Sequence, residues 1–129
     1  MVSKVELYDA FGELMYAVAK ADGLIQTEEV NALNELVGNH PWAKEIVWSF
    51  KYEEGKKKTV EQAYEKALYT CQQYGPSPEY PELLGLLNDI AAASEGVSLE
   101  EKQIIQNFEK ELRAKFEKDL QEGKLIIRK

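Results

Sequence analysis

The stretch AVAKADGLIQTEE, residues 17–29, decides the fold because it ends one helix, makes a tight acidic turn and starts the next helix. Gly23 follows Asp22 and can adopt a positive φ without steric cost, so the pair is a natural helix stop. Thr27 can cap the second helix, and Glu29 falls in its first turn, where the helix dipole favours negative charge. The stretch therefore predicts a helix–acidic turn–helix hairpin.

A weaker copy of this hairpin, IAAASEGVSLEE, occupies residues 90–101. In it Glu95 corresponds to Asp22 and Glu101 corresponds to Glu29, with a turn that is shorter by one residue. We therefore expect two pseudo-repeated hairpins that are related by a rough twofold axis.

The first hairpin, AVAKADGLIQTEEV, followed by its degenerate second copy, resembles the TerB-like domain, which is named for a bacterial tellurite-resistance protein. The resemblance covers about residues 8–112, and Ser94-Glu95-Gly96 departs from the Ala-Asp-Gly pattern. It implies an all-helical fold, no known catalytic activity, a role in bacterial stress response and metal binding by acidic residues.

Composition and periodicity both indicate one all-α domain. The 129 residues, 44% of them apolar and 30% charged, suit a soluble globular domain over residues 1–129, with its core at about 3–122 and a tail at 123–129. Helical spacing of apolar residues predicts a bundle of six or seven helices. Six are placed at about 3–21, 28–37, 41–55, 59–74, 82–94 and 98–122.

Several helix ends and faces follow from local pattern. Capping boxes are expected at Ser3-Glu6, Thr59-Gln62 and Ser98-Glu101, and Pro41 suits the first position of helix three. Helices one and five are expected to lie side by side at the centre. The inward faces are expected to include Val5, Leu36 and Cys71.

Helix six carries an apolar residue at every fourth position from Ile104 to Leu120. A strict four-residue step drifts by about 40° per step around a helix. The stripe therefore spirals, and the helix must bend around the bundle or project beyond it. Gly123 is expected to end it, and the apolar residues 125–127 need a surface, either on this domain or on a second chain.

Charge and cysteine content limit the partners and the compartment. A net charge of −7 disfavours nucleic acid and anionic lipid as partners. No run approaches the ~20 apolar residues of a spanning helix, so direct membrane insertion is not expected. Cys71 is the only cysteine, and the N-terminus lacks a signal-peptide pattern, which together favour a cytoplasmic location.

Catalytic chemistry has little support in the sequence. The single histidine, His40, stands beside Pro41 and suits a cap or a surface position, and no nucleophile–base pair is apparent. The chain is therefore expected not to be an enzyme. Carboxylates alone can perform acid–base chemistry, so either Asp22 and Glu29 or Asp9 and Glu13 in one deep pocket with raised pKa values would reopen the question.

Asp22 and Glu29 are the candidate metal ligands. With Gly23 they match the second half of an EF-hand loop, but the first and third loop positions would be Val18 and Lys20, which offer no side-chain oxygen. The sequence thus allows a weak site for a divalent cation such as calcium. The competing interpretation is that these acids only end one helix and complement the dipole of the next.

Trp48 and Tyr69 are the candidate partner-binding residues, because they lie off the apolar stripes of helices three and four and exposed Trp and Tyr are typical of interfaces. The alternative is that they cover each other across the two helices.

The resemblance and the acidic composition favour a non-catalytic binding module of a bacterial stress-response assembly. Its partner would be another protein or the cytoplasmic face of a membrane protein. A weak divalent-metal sensor or buffer is one alternative. A self-assembling structural subunit, such as a homodimer that uses helix six and residues 125–127, is another.

Overall fold

The computed structural model describes residues 2–21, 25, 27–92 and 99–123. These residues form six α-helices and no β-strand, which confirms the all-α bundle predicted from periodicity. The helices are α1 (Lys4–Lys20), α2 (Thr27–Val37), α3 (Ala43–Gly55), α4 (Val60–Tyr74), α5 (Glu79–Ala91) and α6 (Leu99–Gln121).

Helix α1 is the centre of the bundle. It packs most extensively against α3 and α4, and it also contacts α5 and α6. Every residue from Ala10 to Ala19 is buried, because this part of the helix is enclosed on all sides rather than along one stripe. The expectation that α5 shares the central place is not met: α5 touches α1, α2 and α6, and α3 and α4 are the main neighbours of α1.

A glycine sets the distance between α1 and α3. A Cβ atom on Gly12 would lie 2.3 Å from the carbonyl oxygen of Ile46 and 2.8 Å from Cβ of Ser49. The hydroxyl of Ser49 also donates a hydrogen bond of 2.6 Å to the carbonyl oxygen of Asp9. The two helices therefore cross almost backbone to backbone, which brings polar side chains on both of them close together.

Two of the three predicted capping boxes are present, and the third, at Ser98, lies outside the described residues. The Ser3 side chain accepts from the backbone N–H of Glu6, and the Thr59 side chain accepts from that of Gln62. Each box returns a second hydrogen bond to the N–H of the cap residue, so two of the free amides at each helix start are satisfied. Cys71 is fully buried, as expected.

Two helix starts differ from the sequence prediction. Helix α3 begins at Ala43, because the backbone N–H groups of Trp42 and Ala43 are held in a turn by the side chain and the carbonyl of His40. Helix α5 begins at Glu79, three residues before the predicted start, and places Pro81 inside its first turn. A proline costs little there, because the amides of the first turn have no partner within the helix.

Two side chains expected to face the core are partly in solvent. Val5 is 45% exposed because it lies in the first turn of α1, ahead of the enclosed part of that helix. Leu36 is 40% exposed because α2 packs chiefly against α5 and α3, and only Leu33, Val37 and Glu29 form its buried stripe.

The two acidic turns lie outside the described residues, so the pseudo-repeat stays a prediction. Glu29 and Glu101, which the alignment of the two hairpins pairs, each occupy the third position of their helix and are almost fully buried, at 1% and 2% exposure. Glu29 therefore does more than complement a helix dipole from the surface. Within the described ranges, no helix combines the length and the apolar composition that crossing a bilayer requires.

Candidate functional site: an acidic cleft between three helices

A polar cleft of about 310 Å³ opens where α1 passes between α3 and α4. The close crossing at Gly12 places the polar edge of α1 against α3, and α4 closes the other side. We refer to it as the acidic cleft; its lining residues are Glu6, Asp9 and Glu13 from α1, Trp48, Ser49 and Tyr52 from α3, and Lys66 and Thr70 from α4.

Glu13 and Lys66 form the charged pair at the cleft. The Lys66 ammonium lies 2.5 Å from Oε2 of Glu13, whose side chain is 5% exposed. Burial raises the pKa of Glu13, and the hydrogen bond and charge of Lys66 only partly offset that effect. Burial lowers the pKa of Lys66, but its hydrogen bond with Glu13 and the charges of Glu13 and Glu53 outweigh that effect and raise it.

A second carboxylate, Glu53 on α3, lies next to this pair. Its side chain is 1% exposed, and the Lys66 ammonium is 3.9 Å from its Oε2. In the part of the chain that the structure describes, no hydrogen-bond donor reaches either of its oxygens. One half-exposed lysine thus serves two buried carboxylates, which is an uncommon and costly arrangement.

Asp9 adds negative charge that no described ion pair compensates. Burial raises the pKa of its carboxyl group, and the charges of Glu45 and Glu6 raise it further, while Lys66 acts in the opposite direction. Glu6, Asp9 and Glu13 line the cleft together with a single cation, Lys66, so acidic groups outnumber basic ones there and favour an incoming cation.

Two aromatic rings stand beside these carboxylates. Trp48 and Tyr52 are stacked, with ring centroids 5.2 Å apart, and they are 60% and 42% exposed. The ammonium groups of Lys56 and Lys66 lie 5.7 Å and 5.9 Å from the Tyr52 ring centroid. The Tyr52 ring therefore already interacts with two cations of the protein itself, and Trp48 offers a further aromatic surface.

The two candidate partner-binding residues are not brought together. Trp48 lines the acidic cleft, whereas Tyr69 is 64% exposed on α4 and is not part of its lining. The alternative that they cover each other is wrong, because Trp48 stacks on Tyr52 of its own helix. Residues four apart on a helix lie on the same face, so that stacking is local.

The candidate metal ligands stay a prediction, because Asp22 lies outside the described residues. Glu29 is buried at the start of α2 and does not line the acidic cleft. Across the ranges that the structure describes, no group of three or more His, Cys, Asp or Glu side chains could hold a metal ion.

His40 has a structural role, as its position beside a helix start indicated, but it is not a surface residue. Its Nδ1 accepts from the backbone N–H of Trp42 at 3.0 Å, and its Nε2 lies 3.2 Å from a Glu82 oxygen. Its ring packs against Tyr8, and only 14% of its side chain is exposed. The histidine therefore joins the start of α3 to α1 and α5.

Sequence reasoning did not single out Lys66 or Glu53. The one indication of this charged cluster in the sequence is Glu13, which is an acid inside the otherwise apolar run FGELMYAVA, residues 11–19. A buried acid in such a run needs a counter-charge from another element. Which lysine provides it could not be read from spacing, because the partner is 53 positions away in the chain.

No family model, curated protein or solved structure matches this chain. The resemblance to TerB-like domains thus rests on the helix–acidic turn–helix motif in the sequence.

Proposed function

We propose that the chain is an acidic, non-catalytic binding module whose acidic cleft accepts a basic segment of a partner protein. The observation that carries the proposal is the juxtaposition of the stacked Trp48–Tyr52 pair with the uncompensated carboxylate of Asp9. A partly buried carboxylate beside exposed aromatic rings is the combination that binds ammonium and guanidinium groups. The net charge of −7 supports the same choice of partner, because it attracts basic segments from a distance.

Lys66 is the internal example of this mode of binding. Its ammonium contacts the Glu13 carboxylate and approaches the Tyr52 ring, so one cation is held by an acid and an aromatic face together. An incoming arginine would be held in the same way nearer the cleft entrance. Its guanidinium would stack over Trp48 and donate hydrogen bonds to Asp9. Arginine suits this site better than lysine because its planar group stacks and donates at the same time.

The biological setting follows from the resemblance to TerB-like domains, which supports a cytoplasmic role in a bacterial stress-response assembly. A membrane protein is one suitable partner, because its cytoplasmic loops are enriched in lysine and arginine.

The proposal is tested by titrating a short arginine-rich peptide into the protein and following amide NMR shifts. The perturbed amides should include those of Asp9, Trp48 and Tyr52, and affinity should fall as salt is raised. Trp48→Ala and Asp9→Asn should each weaken binding roughly tenfold, because each removes one cation contact of about 1.4 kcal/mol.

Two matched controls distinguish binding at the acidic cleft from non-specific attraction to negative charge and to exposed aromatic rings. Asp89→Asn removes an exposed acid on α5, and Tyr69→Ala removes an exposed ring outside the cleft, so both should leave the affinity within about twofold. Equal losses in the controls and the cleft variants would show that the peptide responds to net charge alone, and the proposal would be rejected.

One observation favours a second candidate function, acid–base catalysis by Asp9 and Glu13. Both carboxyl groups line the same cleft and both pKa values are raised, which is the condition that reopens the question of an enzyme. The contact with Lys66 weighs against it, because the ammonium occupies the Oε2 atom of Glu13 that would have to exchange a proton with a substrate. A Glu13→Gln variant that binds the peptide as well as the parent chain but loses hydrolysis of a glycoside library would favour the enzyme.

The metal-sensor and self-assembly alternatives are separated by two further measurements. A calcium titration that shifts amides near Glu29 would support the sensor, and concentration-dependent sedimentation would support assembly. A pull-down with and without chelator shows whether partner capture depends on a divalent cation.

A further inference from the structure

Glu53 is a buried carboxylate that lies next to the acidic cleft but does not belong to its lining. Both of its oxygens are shielded from solvent, and within the described ranges neither has a hydrogen-bond partner. An ionised carboxylate in such surroundings is costly, because it has lost its hydration without gaining donors in return. Any rearrangement that brings a donor to Glu53 would therefore stabilise the folded protein.

Lys66 stands between Glu53 and the cleft. Its ammonium is in direct contact with Oε2 of Glu13 at 2.5 Å, whereas it lies 3.9 Å from Oε2 of Glu53, beyond hydrogen-bond distance. A shift of about 1 Å towards Glu53 would bring the second distance to about 2.9 Å, the usual length of a hydrogen bond. The lysine side chain is 55% exposed and has a flexible four-carbon stem, so a movement of this size requires no change in the helices.

The same movement changes what the acidic cleft offers to a ligand. Asp9 and Glu13 are four residues apart on α1, so their side chains lie on one face of that helix, and both line the cleft. While Lys66 remains on Glu13, an incoming guanidinium has Asp9 but not Glu13 available as an acceptor. Once Lys66 turns to Glu53, the guanidinium that binds Asp9 has enough N–H donors to bind Glu13 as well.

We propose that Lys66 transfers from Glu13 to Glu53 when a basic segment enters the acidic cleft, so that Glu53 strengthens binding without touching the partner. The inference rests on the proposed function, since it concerns how the same cleft responds to its ligand. In the free protein one lysine serves two buried carboxylates. In the complex each carboxylate receives its own cation, Lys66 for Glu53 and the incoming arginine for Glu13. Glu53 is thus a positioning residue that acts through Lys66.

The transfer is tested first in the full chain with isotope-labelled glutamate and the arginine-rich peptide. The carboxyl carbon resonances report on each glutamate separately. Adding the peptide should shift the resonance of Glu53, which the peptide does not contact, together with that of Glu13. A Glu53 resonance that stays unchanged at saturating peptide would overturn the inference.

Glu53→Met removes the acceptor for Lys66 and keeps a side chain of similar length in the buried site. The fold should persist, because an apolar side chain commonly replaces a buried charge without loss of stability. Lys66 should then remain on Glu13, and affinity for the peptide should fall roughly tenfold, since a hydrogen bond to a charged group is lost. Glu54→Met is the matched control: it makes the same change at the next, exposed position of α3 and should leave the affinity within about twofold.

A second background isolates the role of the lysine. In Lys66→Met the group that transfers is absent, so adding Glu53→Met should change the affinity by less than about twofold. The Glu53 resonance of the parent chain needs no variant, so it remains a test if Lys66→Met does not fold.

Two results with these variants would overturn the inference and leave the proposed function in place. One is the same loss from Glu53→Met in both backgrounds, which would show that Glu53 acts through its charge alone. The other is an unchanged affinity of Glu53→Met in the parent background, which would show that Lys66 stays on Glu13. A peptide that does not bind at the cleft would instead reject the proposed function, and this inference with it.

Discussion

At the scale of the residue, Gly12 determines how closely the central helix approaches its neighbour. Any side chain there would collide with the backbone of α3 at Ile46 and with Ser49. Backbone atoms cannot rotate out of the way, so the whole helix would have to move. The acidic cleft depends on the same crossing, since Asp9 and Glu13 on α1 and Ser49 and Tyr52 on α3 line it from both sides.

Gly12→Ala should therefore lower the free energy of unfolding by about 2 kcal/mol, the cost of overpacking a closely packed site. The loss should occur although alanine is the better helix former by about 1 kcal/mol. Urea unfolding followed by circular dichroism measures it.

Gly85→Ala is the matched control for this prediction. Gly85 is exposed in α5, and a Cβ atom there meets nothing within 4 Å. The control should raise the free energy of unfolding by about 0.5–1 kcal/mol. If both variants were stabilised, the close crossing of α1 and α3 would be contradicted.

At the scale of the element, α4 supplies the counter-charge that α1 and α3 require. Glu13 and Glu53 belong to different helices, and Lys66 is the cation within 4 Å of both. The capping box at Thr59 fixes the start of α4, and the hydroxyl of Tyr16 on α1 donates to the carbonyl oxygen of Lys58 at 2.7 Å. Lys66 is thus held in register with its two acids by contacts two turns away.

Lys66→Met should destabilise the protein, and the loss should grow with pH. Burial raises the pKa of Glu13 above its ordinary value of 4.5, so the folded state holds that proton more tightly than the unfolded state. Stability from such a group is fully present below the unfolded pKa and is lost as pH rises through the folded pKa. Without the lysine the folded pKa rises further, and the loss should reach about 2 kcal/mol at mildly alkaline pH. This is less than the about 3–5 kcal/mol of a fully buried pair, because 55% of the lysine side chain is in solvent.

Urea unfolding of parent and variant at mildly acidic and mildly alkaline pH makes the comparison. Lys51→Met, which removes an exposed lysine of α3 with no described ion pair, is the control and should change stability little at either pH. A loss from Lys66→Met that is the same at both pH values would contradict a role as counter-charge.

At the scale of the whole molecule, Cys71 reports whether the bundle opens as a unit. It is fully buried on α4, and burial raises the pKa of its thiol, so both access and thiolate formation are suppressed in the folded state. Its modification by a thiol reagent should therefore require unfolding.

The rate of modification in native buffer should be at least about 1000-fold below that of the urea-unfolded chain, in line with the stability of ordinary domains. Gly12→Ala should accelerate it roughly 30-fold, the factor that corresponds to about 2 kcal/mol. Modification of the native protein at the rate of the unfolded chain would show that α4 opens independently of the rest.

The sequence by itself determined those features that depend on neighbours along the chain. These features include the all-helical fold, the capping boxes at Ser3 and Thr59, the buried Cys71 and the outward drift of the α6 stripe. Each follows from residues within a few turns of one another. Hydrogen bonds and apolar periodicity inside one helix are local, so they can be read without knowing what that helix packs against.

Only the tertiary structure decided which helices meet and at what distance. In the sequence alone, Gly12 would be interpreted as a residue that weakens a helix, but in the structure α3 crosses α1 directly at this glycine. Lys66 would likewise be interpreted as a solvated lysine, but in the structure its ammonium lies within 4 Å of both Glu13 and Glu53. The tertiary structure also decided that α3 and α4, rather than the expected α5, are the main neighbours of α1. These features come from contacts between residues tens of positions apart, and such contacts depend on the packing of the whole bundle rather than on the pattern within any one helix.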